Sequence, residues 1–235
     1  MNKIGFLLIS NVLFCTTAEY LYLDQLAQES GTDKSSSGHN YTRAYAQYFA
    51  PMKNEKIKFL EIGIGNEESV KLWEDYFVNG DLHFIDIEDI ENTSRRSKYY
   101  RLDQGSPEEL DAFIDAVGGG FDIIIDDGGH TMNQQITSFV RLFPHVRSGG
   151  IYVIEDLHTS YWIGFQGGFH PDKRKATPNS TTEFLKTLID DINHSYAKHG
   201  IPDCGLASAS ENLSYYQKTI DSIHFYKSLC LVTKR

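Results

Sequence analysis

Two short apolar runs limit what this chain can fold into. Phe121-Asp122-Ile123-Ile124-Ile125 leads into Asp126-Asp127-Gly128-Gly129-His130, and Ile151-Tyr152-Val153-Ile154 leads into Glu155-Asp156-Leu157-His158. A short apolar run rich in β-branched residues is the pattern of a strand buried on both faces, and such strands belong to parallel sheets covered by helices. Open parallel sheets bind their ligands just beyond the carboxyl ends of the strands. The carboxylates of Asp126, Asp127, Glu155 and Asp156, with the imidazole of His130, are therefore expected on the rim where the chemistry takes place.

The flanking chain alternates in the same way. Residues 57–62 read as a strand that enters a turn at Gly63-Ile64-Gly65, followed by a helix carrying Val70, Leu72, Trp73, Tyr76 and Phe77. The two glycines either let a ligand approach the backbone or simply make a tight turn, because the third glycine of the dinucleotide fingerprint is absent. A second strand, 82–87, carries Asp86 about 20 residues beyond that turn, where an acid can accept both ribose hydroxyls of a nucleoside. A strand at 99–102, helices at 107–116, 131–143 and 181–196, and a closing pair of strands at 222–226 and 229–233 complete an α/β, doubly wound pattern. The polar loop 32–41 reads as a flexible connection, 164–169 as an aromatic-glycine lid, and 199–214 as irregular surface.

Composition narrows the partners. The 235 residues suffice for one sizeable domain, and the net charge of −10 argues against a phosphate-tracking surface, so no nucleic acid is expected. The basic cluster His170-Pro171-Asp172-Lys173-Arg174-Lys175 is short and reads as a solvated loop. Residues 1–18 combine Lys3, an apolar stretch from Ile4 to Cys15 and a small-residue exit, the outline of a signal peptide or of an apolar amino-terminal helix. As a helix that stretch reaches roughly 18 Å, too short for a stable membrane span of ~30 Å. Residues 19–235 are then read as a single domain. The three cysteines carry no metal spacing and read as reduced thiols.

Read together, Glu61-Ile62-Gly63-Ile64-Gly65, Asp86, Asp103-Gln104 and Asp126-Asp127 resemble the successive motifs of class I S-adenosylmethionine-dependent methyltransferases. The stretches Ile125–His130, Phe143–Gly150 and Tyr152–Trp162 are similar to the magnesium-dependent O-methyltransferases of macrolide sugars, the mycinamicin and macrocin type. Gly31-Thr32-Asp33-Lys34 with His39 and Tyr41, and Ile223-His224-Phe225-Tyr226, fit the same family. The resemblance implies a mostly parallel, seven-stranded Rossmann-like sheet with a closing antiparallel strand, and S-adenosylmethionine and Mg2+ as cofactors. It implies metal ligands at Asp127, Glu155 and Asp156 and a general base at His130. It places Glu61, Gly63, Gly65, Asp86, Asp103, Gln104 and Tyr41 with the methyl donor, and Asp126 near the donor's sulfonium or amino group. The sequence departs from the pattern at Gly129, where a serine is expected, and at Glu67-Glu68, where a glycine-rich insert is expected.

The bland readings are that Asp126 and Asp127 cap the next helix and that His130 merely starts it. Against them, hard oxygen ligands suit magnesium, metal coordination makes a hydroxyl more acidic, and a histidine three residues beyond Asp127 can take its proton. The implied partner is a small-molecule hydroxyl acceptor, a sugar first, and a homo-oligomer is compatible with the family. Two alternatives stay open: a catechol- or phenol-type O-methyltransferase, and an exported binding protein that keeps the fold without turnover. Because the donor is made in the cytosol, a cytoplasmic location is expected, with export through residues 1–18 as the alternative.

Overall fold

The protein is described from a computed structural model, which covers residues 4–89, 96–169, 175–197 and 213–235, with side chains throughout except at 4–16 and 195–197. The basic cluster at 170–175, except Lys175, and nearly all of 199–214 lie outside the described residues. Two compact units interleave along the chain: Met1–Phe59, Ile64–Phe84 and Glu91–Tyr99 form one, and Leu60–Gly63, Ile85–Ile90 and Tyr100–Arg235 the other.

In the first unit, α1 (Ile4–Ser30), α2 (Thr42–Phe49) and α3 (Glu68–Tyr76) pack around aromatic side chains. The rings of Tyr45 and Phe49 stack at 4.8 Å, and Phe59 and Phe77 lie 5.4 and 5.8 Å from Trp73, all fully buried. Offset and edge-on contacts of this kind add to what their buried area contributes. The polar loop after α1 is anchored rather than loose. The buried Asp24 carboxylate accepts from the Ser36 amide at 2.6 Å, from the Thr42 hydroxyl at 2.8 Å and from Gln28 at 2.7 Å. Burial acts to raise the Asp24 pKa, but these hydrogen bonds outweigh it and hold the carboxyl below its ordinary range. Among the described residues no helix is long and apolar enough to cross a membrane.

The sheet contains β1 (Lys58–Ile62), β2 (Asp81–Asp86), β3 (Lys98–Arg101), β4 (Phe121–Asp126), β5 (Val146–Ile154), β6 (Ile220–Tyr226) and β7 (Leu229–Lys234) in the order β3-β2-β1-β4-β5-β7-β6. It is mostly parallel with a closing antiparallel strand, as the resemblance implied. β4 and β5 run parallel, whereas β7 enters antiparallel between β5 and β6. Every residue of β4 is buried, which is why its sequence is apolar up to Asp126 except at Asp122, whose carboxylate pairs with Arg147. The order reverses at β1 and β4, the position where doubly wound sheets open a crevice for ligands.

In the second unit, α4 (Pro107–Val117), α5 (Met132–Leu142), α6 (Thr181–Ala197) and the short α7 (Tyr215–Thr219) join Ile124, Phe139, Tyr152, Leu185 and Val232 in one apolar core. β5 starts earlier than its apolar run suggests, because exposed Arg147 pairs with Asp122 and keeps 147–150 beside β4 through a register shift.

Candidate active site

The site is built from strand ends. Asp126 and Ile154 are paired in register, and the Glu155 amide donates to the Asp126 carbonyl at 3.0 Å, so β4 and β5 release their acids at the same level. On the other side the Asp127 amide donates to the Ile62 carbonyl at 2.9 Å, which ties the acids to the end of β1. A β-carbon on Gly63 would overlap the Asp127 carbonyl, and Gly63 has φ +88°. Close approach and a left-handed backbone thus each demand glycine here.

Two overlapping groups result. Asp127, His130 and Asp156 bring ligand atoms within 4.8 Å of one another, and so do Glu61, Asp127 and Glu155. Asp127 belongs to both. The family resemblance implies Asp127, Glu155 and Asp156 as one metal set and Glu61 with the donor; in the fold Glu61 joins Asp127 and Glu155 in one group, while Asp156 lies with Asp127 and the histidine in the other. Glu61 and Glu155 are fully buried, and the other three side chains are partly exposed. The imidazole Nε2 of His130 lies 3.5 Å from Asp156 Oδ2 and 4.0 Å from Asp127 Oδ1, while its Nδ1 is buried without a hydrogen-bond partner. The Nε2 edge is therefore the one turned to the carboxylates.

Both His130 and Asp156 have φ +55°, a left-handed conformation that costs a side-chain-bearing residue of order 1–3 kcal/mol and collects at functional sites. Thr159 links the two, its hydroxyl lying 3.1 Å from the His130 carbonyl and 2.8 Å from the Asp156 carbonyl. His158 stands on the other side of Asp156, with its Nδ1 2.5 Å from the Ser228 hydroxyl and 3.9 Å from Asp156 Oδ1. The aromatic-glycine loop is tied down beside the site. Gln166 accepts from the Asn133 amide at 3.2 Å, Phe165 lies 6.4 Å from the His130 ring, and Trp162 and Ile163 stay exposed.

The remaining expected residues are placed as follows. Asp86 ends β2 half-buried, with Oδ1 accepting from the Glu88 amide at 2.9 Å. Asp103 Oδ1 accepts from the Gly105 amide at 2.7 Å. Gln104 and Asp126 are buried and bonded to each other at 2.9 Å. Asp126 also accepts from the Ser138 hydroxyl, and burial pushes its carboxyl pKa up even though these donors oppose the shift. In the other unit, Gly65 has φ +51° and open space where a side chain would sit, and Tyr41 is buried with its ring stacked on His39 at 5.0 Å. Thr159, Ser138 and Gln135, whose amide donates to the Glu155 carbonyl at 2.9 Å, carried no signal in the sequence beyond their place in helical or polar stretches.

In fold and sequence the chain is similar to class I S-adenosylmethionine-dependent methyltransferases. Within that class it is similar to enzymes that methylate sugars. It is 35% identical over 219 residues to the 8-demethyl-8-alpha-L-rhamnosyl tetracenomycin-C 2'-O-methyltransferase of Streptomyces olivaceus, a match covering 89% of this chain and 54% of that protein. It is 36% identical over 234 residues to the L-olivosyl-oleandolide 3-O-methyltransferase of Streptomyces antibioticus, covering 95% and 57%. Among solved structures, the MycE methyltransferase of the mycinamycin biosynthetic pathway, in complex with Mg and SAH, superposes with a TM-score of 0.79 at 33% identity, covering 90% of this chain and 54% of that one. The chain thus spans about half the length of these relatives. No protein-family model matches it.

Proposed function

We propose that this chain transfers a methyl group from S-adenosylmethionine to a hydroxyl of a sugar or glycosylated small molecule, with Mg2+ as the metal. The carrying observation is the pair of acid groups joined at Asp127 beside His130. Bringing three carboxylates this close, two of them out of water, is unfavourable unless a cation or protons compensate. Hard oxygens are the donors that magnesium selects, so the residues fit the ion. Asp127 and Glu155 would hold it, with Asp156 or Glu61 completing the set, and when bound it polarises and orients the acceptor oxygen.

The chain's own residues supply the rest. His130, through Nε2, takes the acceptor's hydroxyl proton, the freed oxygen pair forms the new bond to the methyl carbon, and the carbon–sulfur bond breaks to leave S-adenosylhomocysteine. Asp86 holds the donor's ribose. Glu61, Gly63, Gly65, Asp103 and Tyr41 are the other residues assigned to the donor. MycE is solved in three complexes with Mg and SAH, one of which also contains mycinamycin VI; together with the rhamnosyl and olivosyl acceptors named for the relatives, this favours a glycosylated acceptor over a catechol. Because the donor is made in the cytosol, the reaction belongs there.

The test is methyl transfer by the purified chain from labelled S-adenosylmethionine to methyl α-L-rhamnopyranoside, a rhamnosylated polyketide and catechol, each with magnesium or excess chelator. Magnesium-dependent transfer to a glycoside is expected. Undiminished transfer in chelator would remove the metal role, and transfer to catechol alone would remove the sugar.

A further inference from the structure

Gln104 follows β3 in a loop and lies on no element that carries the acids, yet it is only 5% exposed. Its carboxamide is used at both ends: Nε2 donates to Asp126 Oδ1 at 2.9 Å, and Oε1 accepts from the Gly129 amide at 2.7 Å. The orientation is forced, since a flipped carboxamide would set oxygen against carboxylate and NH2 against N–H. Asp126 itself is immobilised, fully buried and hydrogen-bonded by the Ser138 hydroxyl and, at 3.4 Å, by the Tyr152 hydroxyl. A β-carbon on Gly128 would strike Gln104 Oε1, so a side chain at 128 would have to displace this carboxamide from its seat.

Gly129 directly precedes His130, whose left-handed backbone resists a side chain and must be held from both sides. Thr159 holds the carbonyl side. We propose that Gln104 holds the other as a positioning residue: braced on Asp126, it pins the Gly128–Gly129 segment and so sets the direction from which the His130 imidazole faces Asp127 and Asp156. The inference rests on the reading of His130 as the base. It gives Gln104 and Asp126 a role distinct from the donor contact that the family resemblance implies for them.

The test is amide hydrogen exchange of the full chain, read by mass spectrometry, with calorimetric binding of S-adenosylhomocysteine alongside; neither needs methyl transfer. Gln104→Met, similar in length but without either hydrogen bond, is expected to speed exchange across 127–131 about tenfold, the equivalent of roughly 1.4 kcal/mol. Exchange in α5 and S-adenosylhomocysteine affinity should stay near their original values. Asp126→Asn still offers Gln104 an acceptor and is expected to keep the protection, whereas Asp126→Leu should lose it. Unchanged exchange in Gln104→Met, weakened S-adenosylhomocysteine binding without faster exchange, or equal loss in both Asp126 variants would each overturn the proposal. If Gln104→Met does not fold, Gly128→Ala displaces the same carboxamide, and unchanged exchange there overturns it equally. An inactive chain with intact exchange differences would instead count against the function proposed above.

Discussion

At the residue scale, the site is held by groups that favour one arrangement of a costly backbone. His130 and Asp156 adopt left-handed conformations that a free chain would avoid, and Thr159 bonds to both of their carbonyls. Replacing His130 with Ala should leave S-adenosylhomocysteine binding intact, because no part of the imidazole is assigned to the donor. The transfer rate should fall at least ~10²-fold, the low end for a lost general base, and single-turnover kinetics would measure it. A rate close to that of the unmodified chain would disqualify His130. Asp86→Ala should act in the opposite sense, weakening S-adenosylhomocysteine by about 1–3 kcal/mol in calorimetry through lost ribose hydrogen bonds. The acids and the histidine were legible in the sequence because strand ends advertise them. Their division into two groups sharing Asp127 was not, since it depends on how far β1, β4 and β5 each extend before turning.

At the scale of elements, α5 begins where the site ends. Thr131 and Gln134 close a capping box: the Thr131 hydroxyl accepts from the Gln134 amide at 3.3 Å, and the Gln134 carboxamide accepts from the Thr131 amide at 3.3 Å. The Gln134 carboxamide also occupies the space a β-carbon on Gly129 would need, so a side chain there would have to displace it from the capping box. Thr131→Ala should cost about 1 kcal/mol in urea denaturation, the usual value of a lost cap. A threonine three residues before a glutamine is a readable start signal, as is Ser214 before Gln217, yet α7 escaped notice because five residues give no periodicity. The loop after α1 misled for a related reason. Polar composition suggests a flexible connection, and nothing local reveals that Asp24, twelve residues away, organises it.

At the scale of the whole molecule, alternation of strands and helices was enough to read the doubly wound class, because buried parallel strands leave unbroken apolar runs. The position of β7 was not readable, since a closing pair of strands fits an edge as well as the slot beside β5 that it fills. Folding stability should fall in mild acid. Burial holds the imidazole pKa values of His83 and His145 below their ordinary 6.5, against the pull of Asp81 on His83 and of Asp115 on His145. The unfolded chain therefore binds protons that the folded one refuses, so this contribution is complete above 6.5 and is lost as the pH falls through the lowered values. Melting temperatures should decline as the pH drops from 6.5, and His83→Gln should flatten part of that decline. A profile unaltered by the substitution would place the effect elsewhere.

The slot taken by β7 also sets a clock for synthesis. β5 carries the acids of the site at its end, yet one of its flanks is completed only by Leu229–Lys234, translated long after it. While the intervening chain is still emerging from the ribosome, β5 offers a bare edge open to pairing with other chains, and His158 lacks Ser228. The acidic rim thus gains its flanking strand only once β7 has been made, and a ribosome that stalls within β7 leaves a chain in which the acids are present but the strand beside them is missing.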